Sequence, residues 1–467
     1  MHACDCAVIG GGPAGALLSG LLAAAGKSVV LIDDGRPRHA MPEETLLPAA
    51  LRALEQRGLL AALAGLAATD RLRHGAIWGS DEVVWQGGEQ RGLRVVRRTL
   101  DAALRHWAGS CGAVVLDGAA VIGALPDAGT GSIAVRQQDG AVVAVDARLF
   151  AVATGRAASA QLLPSERVAA GPETAALCLV GDGSPEFHDA AVVEAVADGW
   201  LWWMPLSGGG ACVALFSDVA ELERRGHVRL GDELLAAARG PARACQWRAV
   251  QHAVRATARL CVAKIPVLLL GDAAATIDPL ASQGVEKALA AADAAAAAAV
   301  TALEQPQLRT LALQHHAAWE RGLWQAHAAT AMAFYGRETR FPGAPFWRAR
   351  SGNGASPPPA SPMPLPPCLQ TRADLQAGTA LRSIGRRLEA EAGFLLPGSD
   401  AAVARVGFVP VAPLLRAFTA PQSLAAGIAT AARDPRLYVL PPRAVHDAVA
   451  ELFRRGFLLA SAAPADP

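Results

Sequence analysis

Apolar residues early in the chain fall in short unbroken runs rather than in strict alternation. Residues 6–9 form one such run, closed by Gly10, and predict a strand buried on both faces. Residues 16–25 are rich in Ala and Leu with only Gly20 as a breaker, and predict a helix; residues 27–32 predict a second strand ending at Asp33. A helix over 49–66 follows, then short strands at 77–79, 83–85 and 93–96 and a helix over 102–108. Further strands are expected at 113–116, 132–136 and 142–146, and another over 149–154 that breaks at Thr154-Gly155. The runs at 177–181, 200–205 and 211–216 depart from strand–helix alternation and predict a second, antiparallel sheet inserted into the first domain. Parallel character returns at 266–270, followed by long helices over 283–303 and 308–334.

The stretch 351–367 holds a dense Pro/Ser/Gly run that cannot build a ladder, so it is expected to be a linker or exposed loop. Beyond it, residues 372–467 read as helices with few strands. An amphipathic helix over 444–456 ends at a cap-like Gly456, and residues 438–459 have a strand–helix–strand flavour resembling a winged helix.

Composition narrows the function classes. With 52% hydrophobic residues there is ample material for a core, and a net charge of +1 gives no electrostatic case for a nucleic-acid partner. The apolar stretch 290–300 contains Asp293 and is mostly alanine, which predicts a packed helix rather than a membrane span. The first strand begins almost at Met1, so no secretory leader is expected and the chain reads as cytoplasmic. The 8 cysteines form no C-x-x-C pair and read as reduced thiols. No cluster has metal spacing, and adjacent His315 and His316 point to different helix faces.

Candidate chemistry begins at the first strand–helix turn. Gly10, Gly12 and Gly15, with Pro13 and Ala14 between them, give G-x-G-x-x-G between a strand and a helix. Gly10 makes the tight turn, Gly12 lets backbone approach a pyrophosphate, and Gly15 lets helix and strand pack closely. The helix N-terminus then holds the phosphate charge, and Asp33, followed by Asp34, stands where ribose hydroxyls are accepted. A second stretch, 268–289, ends a buried strand at Gly271, with Asp272 at the carboxyl end where ligands of open α/β sheets lie. The expected fold is therefore α/β. A Rossmann-like nucleotide-binding domain comprises about 1–75, 93–160 and 255–350, and the inserted antiparallel sheet comprises about 76–92 and 161–254. A linker over 351–371 leads to a mainly helical, winged-helix-like region at 372–467.

The glycine turn, Ala153-Thr154-Gly155-Arg156, Gly271-Asp272 and Asp278-Pro279 together resemble the flavoprotein monooxygenase and halogenase superfamily, whose fold is that of p-hydroxybenzoate hydroxylase. The resemblance covers roughly residues 1 to 350. It implies FAD, with Thr154, Gly155, Gly271, Asp272, Pro279, Gln283, Gly284 and Val285 at the cofactor. It also implies an arginine near the flavin, for which Arg98, ahead of Asp101 and Leu104, is taken. No second G-x-G-x-x-G is present, so electrons are expected from transient NAD(P)H or from a partner flavin reductase.

Within that superfamily, hydroxylases and halogenases both start from reduced FAD and O₂ by way of a C4a-hydroperoxyflavin. Trp200–Pro205 is similar to the W-x-W-x-I-P motif of tryptophan halogenases, with Met204 in place of Ile. A strand with bulky indoles on one face explains the spelling equally well. Those halogenases need a lysine between the first strand–helix–strand unit and the R-x-x-x-D segment, and residues 35–97 contain none. Residues 44–46, 77–80, 278–284 and 335–350 resemble the maturation flavoproteins of quinone-cofactor enzymes, which act on a tryptophan in a partner polypeptide. This implies a tryptophan hydroxylase acting on a protein or peptide, with halogenation of an indole or other aromatic as the alternative. Glu44 reads either as a helix cap or as a pocket acid or base, and His74 as a second candidate. Trp78, Trp200 and Trp202 are candidates for the aromatic site, while Glu338 and Arg340 read as a surface or interdomain pair. The C-terminal region reads as a docking module for the peptide or as a helical cap.

Overall fold

The computed structural model describes residues 1–36, 42–60, 67–70, 73–85, 92–248, 252–281, 283–351, 365–385, 387–438 and 440–462. The chain divides into two compact units, 1–356 and 357–467. The helix expected over 49–66 ends at Glu55 and gives way to a turn over 56–58; residues 61–66, Ser282, and most of the Pro/Ser run lie outside the described residues.

The first unit is built on a sheet in the order Val114–Asp117, Val29–Asp33, His2–Ile9, Val142–Val152, Gly131–Arg136, Ala120–Ile122. Its first four strands run parallel, as the two-face apolar runs require, and Leu268–Leu269 pairs parallel with the end of Val142–Val152. The strands expected separately at 142–146 and 149–154 are one continuous element. Its first half pairs antiparallel with Gly131–Arg136, while its last residues sit between His2–Ile9 and Leu268–Leu269. Helices Pro13–Ala24, Arg97–Ser110 and Gly284–Glu304 pack together beside this sheet. The last is Ala-rich because it lies close against its neighbours, with Ala291, Ala292 and Ala295 fully buried.

The inserted sheet runs in the order His252–Arg255, Thr174–Gly181, Ala211–Asp218, Gly199–Pro205, Ala190–Val196, Arg73–Ile77, Val84–Trp85. It is antiparallel except where Ala190–Val196 meets Arg73–Ile77. Alternation along Gly199–Pro205 sends Leu201 and Trp203 into a cluster with Leu230 and Leu234 of helix His227–Ala237. Trp200 and Trp202 take the other face, where they join Trp78, Tyr335, Phe346 and Trp347.

The second unit has its own core, with Leu369, Val411, Leu414, Phe418, Val449, Leu452 and Phe457 at its centre. Four of its helices are Val411–Ala417, Leu424–Ala431, Pro435–Tyr438 and Pro442–Arg454. Two features differ from expectation. Residues 376–395 form an unforeseen hairpin of Gln376–Ile384 and Arg387–Leu395. Of the strand–helix–strand expected over 438–459, Tyr438 ends the short helix Pro435–Tyr438, residue 439 lies outside the described residues, and helix Pro442–Arg454 and strand Leu458–Ala460 follow.

Candidate functional site

Three turns meet at the carboxyl ends of His2–Ile9, Val142–Val152 and Leu268–Leu269. Gly10 leaves its strand at φ 107°, and a Cβ there would stand 2.4 Å from the Ala153 carbonyl oxygen. A Cβ on Gly15 would stand 1.9 Å from the Gly10 oxygen, so the helix reaches the strand only through glycine. Gly12 is the opposite case: nothing lies within 4 Å of its Cβ position. It caps helix Pro13–Ala24 without any side-chain hydrogen bond, with Pro13 in the first turn, so the helix N-terminus is open toward that space. Gly155 and Gly284 are equally open. Gly271, at φ 62°, comes against Ala14, with its Cβ position 2.9 Å from the alanine methyl.

Polar groups fix these turns. Asp33 Oδ2 accepts from Gly11 N at 2.6 Å and Oδ1 from Gly35 N at 2.9 Å, while Asp34 Oδ1 accepts from Arg36 N. Arg105 Nη1 donates to the Gly11 oxygen at 3.2 Å and lies 4.0 Å from Asp33. Arg105 is a residue that motif reading missed; its signal is only that it falls two turns after Arg97 on the same helix. Asp272 is held by Arg156 Nε at 3.0 Å. The Thr154 hydroxyl is buried without a hydrogen-bond partner. That orphaned hydroxyl, the open space over Gly12, Gly155 and Gly284, and the uncapped helix end fit a dinucleotide laid across the turns. Pro279 lies in the short turn Pro279–Ala281, Gln283 precedes helix Gly284–Glu304, and Val285 is buried in its first turn.

The arginine of the R-x-x-x-D segment is Arg97 rather than Arg98. Its Nε meets Asp101 at 2.9 Å, one helical turn on, and its Nη1 meets Glu44 at 3.0 Å. Burial opposes its charge, but the two carboxylates outweigh it and hold the guanidinium above its ordinary range. Glu44 is thus no helix cap: it lies on strand Glu43–Leu46, and helix Pro48–Glu55 starts after Leu47 without a side-chain cap. His74 lies on a different sheet, opposite Ala191 on Arg73–Ile77, and is half-buried.

Trp200 is 1% exposed, stacked on Phe216 with ring centroids 3.8 Å apart. It is a core residue and has no surface left for a substrate. Its Nε1 donates to the Tyr335 hydroxyl at 3.2 Å, and that hydroxyl donates to the Asp278 carboxylate at 3.2 Å. Burial pushes Asp278 up from its ordinary value against the opposing hydrogen bonds. Trp78 is also packed inside, donating to the Phe334 oxygen at 3.1 Å, so of the three indoles Trp202 alone is half-buried. Glu338 and Arg340 do not lie on the surface. The carboxylate accepts from Gly79 N at 2.9 Å and pairs with Arg340 at 2.7 Å, and Arg340 also donates to the Ile77 and Ala195 oxygens at 3.1 Å.

Residues 3–181 match the FAD binding domain family. Over 142 residues the chain is 33% identical to menaquinone reductase of Mycobacterium tuberculosis, a match to 30% of this chain and 35% of that protein. It therefore spans about a third of that relative's length. Among solved structures the chain is similar to QhpG, a peptidyl tryptophan dihydroxylase essential for tryptophylquinone cofactor biogenesis. The TM-score is 0.66 at 25% identity, covering 97% of this chain and 99% of that one. CmlS, a flavin-dependent halogenase, superposes with a TM-score of 0.74 over 98% of this chain and 96% of its own, at 19% identity. The fold is that of the flavin-dependent monooxygenases and halogenases. Among the described residues, no helix is long and apolar enough to cross a membrane, and no group of three or more His, Cys, Asp or Glu could hold a metal ion.

Proposed function

We propose that the chain is an FAD-dependent aromatic monooxygenase that hydroxylates a tryptophan side chain within a protein or peptide, during biogenesis of a quinone cofactor. The observation that carries this is the likeness to the peptidyl tryptophan dihydroxylase, which runs through nearly the whole chain and not the FAD-binding domain alone. FAD, bound and reduced, supplies the chemistry: one atom of O₂ goes to an electron-rich carbon and the other leaves as water. The chain's own residues position and enclose. Gly12 and the helix N-terminus take the pyrophosphate, Asp33 the ribose end, and Thr154, Arg156 and Asp272 the middle of the cofactor. Arg97 fixes Glu44 as the carboxylate available to take a ring proton, and Trp202 lines the aromatic side. Electrons come from NAD(P)H or a partner flavin reductase.

Halogenation is the competing reading, favoured by the spelling of Trp200–Pro205 and the likeness to halogenases. Against it stand the three lysines of the chain. Lys27 pairs with Glu304 at 2.8 Å, Lys264 is exposed at the end of Arg259–Ala263, and Lys287 is enclosed beneath Gly271. An arginine, always charged, is a poor proton donor in their place. The deciding experiment is mass spectrometry of a turnover mixture containing protein, FAD, NADH with a flavin reductase, O₂, bromide, free tryptophan and tryptophan-containing peptides. Peptide gaining oxygen, indifferent to bromide, is the expected result. A bromine isotope doublet on product would sink the hydroxylase reading and favour the halogenase.

A further inference from the structure

One buried ion pair has no part in the function above. Lys287 on Gly284–Glu304 is 3% exposed and Glu320 on Arg309–Tyr335 is 2% exposed. Their charged atoms stand 3.7 Å apart, too far for a hydrogen bond. The ammonium makes its hydrogen bonds elsewhere: it donates to the Gly271 oxygen at 2.7 Å and to the Ala275 oxygen. Those two carbonyls bracket the turn that carries Asp272. A third carbonyl of the same segment, Leu269, meets His316 Nε2 at 2.8 Å. Both Glu320 carboxylate oxygens are buried without a hydrogen-bond partner, as is His316 Nδ1. A buried charge pair is commonly no better for stability than apolar side chains of the same volume, so stability alone does not account for it.

We propose that Lys287 is a positioning residue for the cofactor, its ammonium tying the Gly271 and Ala275 carbonyls together so that Asp272 is held at the FAD cradle, with Glu320 as buried counter-charge. The inference rests on the FAD-binding reading. On its front side the turn has little room, since a Cβ at Gly271 would stand only 2.9 Å from the Ala14 methyl. To one side, Arg156 holds the Asp272 carboxylate. From behind, Lys287 is the one described side chain that bridges both carbonyls, and an ammonium, with three donors on one atom, suits that task. Without it, two buried carbonyls lose their shared donor and the turn relaxes away from the cofactor.

The test uses the full chain stripped of FAD and titrated with it, read by flavin fluorescence and by the visible circular dichroism of the bound cofactor. K287M is expected to bind FAD at least about tenfold more weakly. The double variant K287M/E320L removes the orphaned carboxylate as well. It is expected to regain wild-type thermal stability while FAD binding stays weak and the dichroism altered. K287Q, which keeps an N–H donor without the charge, is expected to bind FAD more tightly than K287M. Wild-type affinity and dichroism in K287M/E320L would overturn the positioning role, as would K287Q binding no better than K287M. Failure of the wild-type chain itself to bind FAD would overturn the cofactor reading, and this inference with it.

Discussion

Gly12 and Gly15 belong to one motif but answer to different demands. Gly15 is a packing residue: a methyl there meets the Gly10 oxygen at 1.9 Å, and backbone cannot move aside as a flexible side chain would. Gly12 has ordinary dihedrals, φ −71° and ψ −177°, and nothing within 4 Å, so alanine fits the protein but fills the cradle. Gly12→Ala should leave the thermal stability of the FAD-free protein unchanged and weaken FAD binding at least about tenfold. Gly15→Ala should lower both, costing about 1–3 kcal/mol of stability. Thermal melts with and without FAD separate the two, and a Gly12→Ala protein that binds FAD as the wild type does would remove the pyrophosphate from that position. These glycines were legible in the sequence because their spacing encodes a local turn. Lys287 was not, because its partners are carbonyls 12 and 16 residues back, brought beneath it only by the fold. Arg97, not Arg98, stands four residues before Asp101, so the R-x-x-x-D spacing itself picks the arginine that turns toward Asp101, and Arg98 is a placement off by one residue.

At the scale of elements, apolar runs predicted the buried strands well, since a strand buried on both faces must be apolar throughout. The hairpin of Gln376–Ile384 and Arg387–Leu395 escaped notice for the same reason. Most of its side chains are exposed on both faces, so no period marks it, and only backbone pairing makes it a ladder. The Glu338–Arg340 pair also acts between elements, since the guanidinium reaches the Ile77 and Ala195 carbonyls on two adjacent strands and the carboxylate holds Gly79. Burial pushes Glu338 up, but Arg340 and the Gly79 and Arg340 N–H groups outweigh it and hold the carboxyl below its ordinary 4.5. A folded-state value below the unfolded one means the unfolded chain binds more protons as acid is added. The contribution is therefore full above about pH 4.5 and is lost as pH falls through the folded value. Glu338→Gln removes one of two carboxylates from the guanidinium, which keeps Asp81 at 3.3 Å, and should cost about 1–3 kcal/mol at neutral pH, with a smaller penalty in acid. Urea unfolding at two pH values measures this, and an equal penalty at both would show that the charge of Glu338 is not what holds the strands.

Across the whole molecule, the two units carry separate cores, and the residues proposed to hold FAD all lie in the first. A ligand stabilises only the cooperative unit that binds it, by about 2.7 kcal/mol at a hundredfold excess over its dissociation constant. Calorimetry of the intact chain should therefore show two unfolding transitions, with added FAD raising the one that belongs to residues 1–356 and leaving the other in place. Leu414 is fully buried at the centre of the second core, and Leu414→Ala should cost that unit about 2–5 kcal/mol. The FAD-responsive transition should stay where it was, and flavin affinity with it. The combination makes the assignment internal to one experiment, since each perturbation labels a different transition. If FAD and Leu414→Ala instead move a single common transition in opposite directions, the units unfold as one cooperative block.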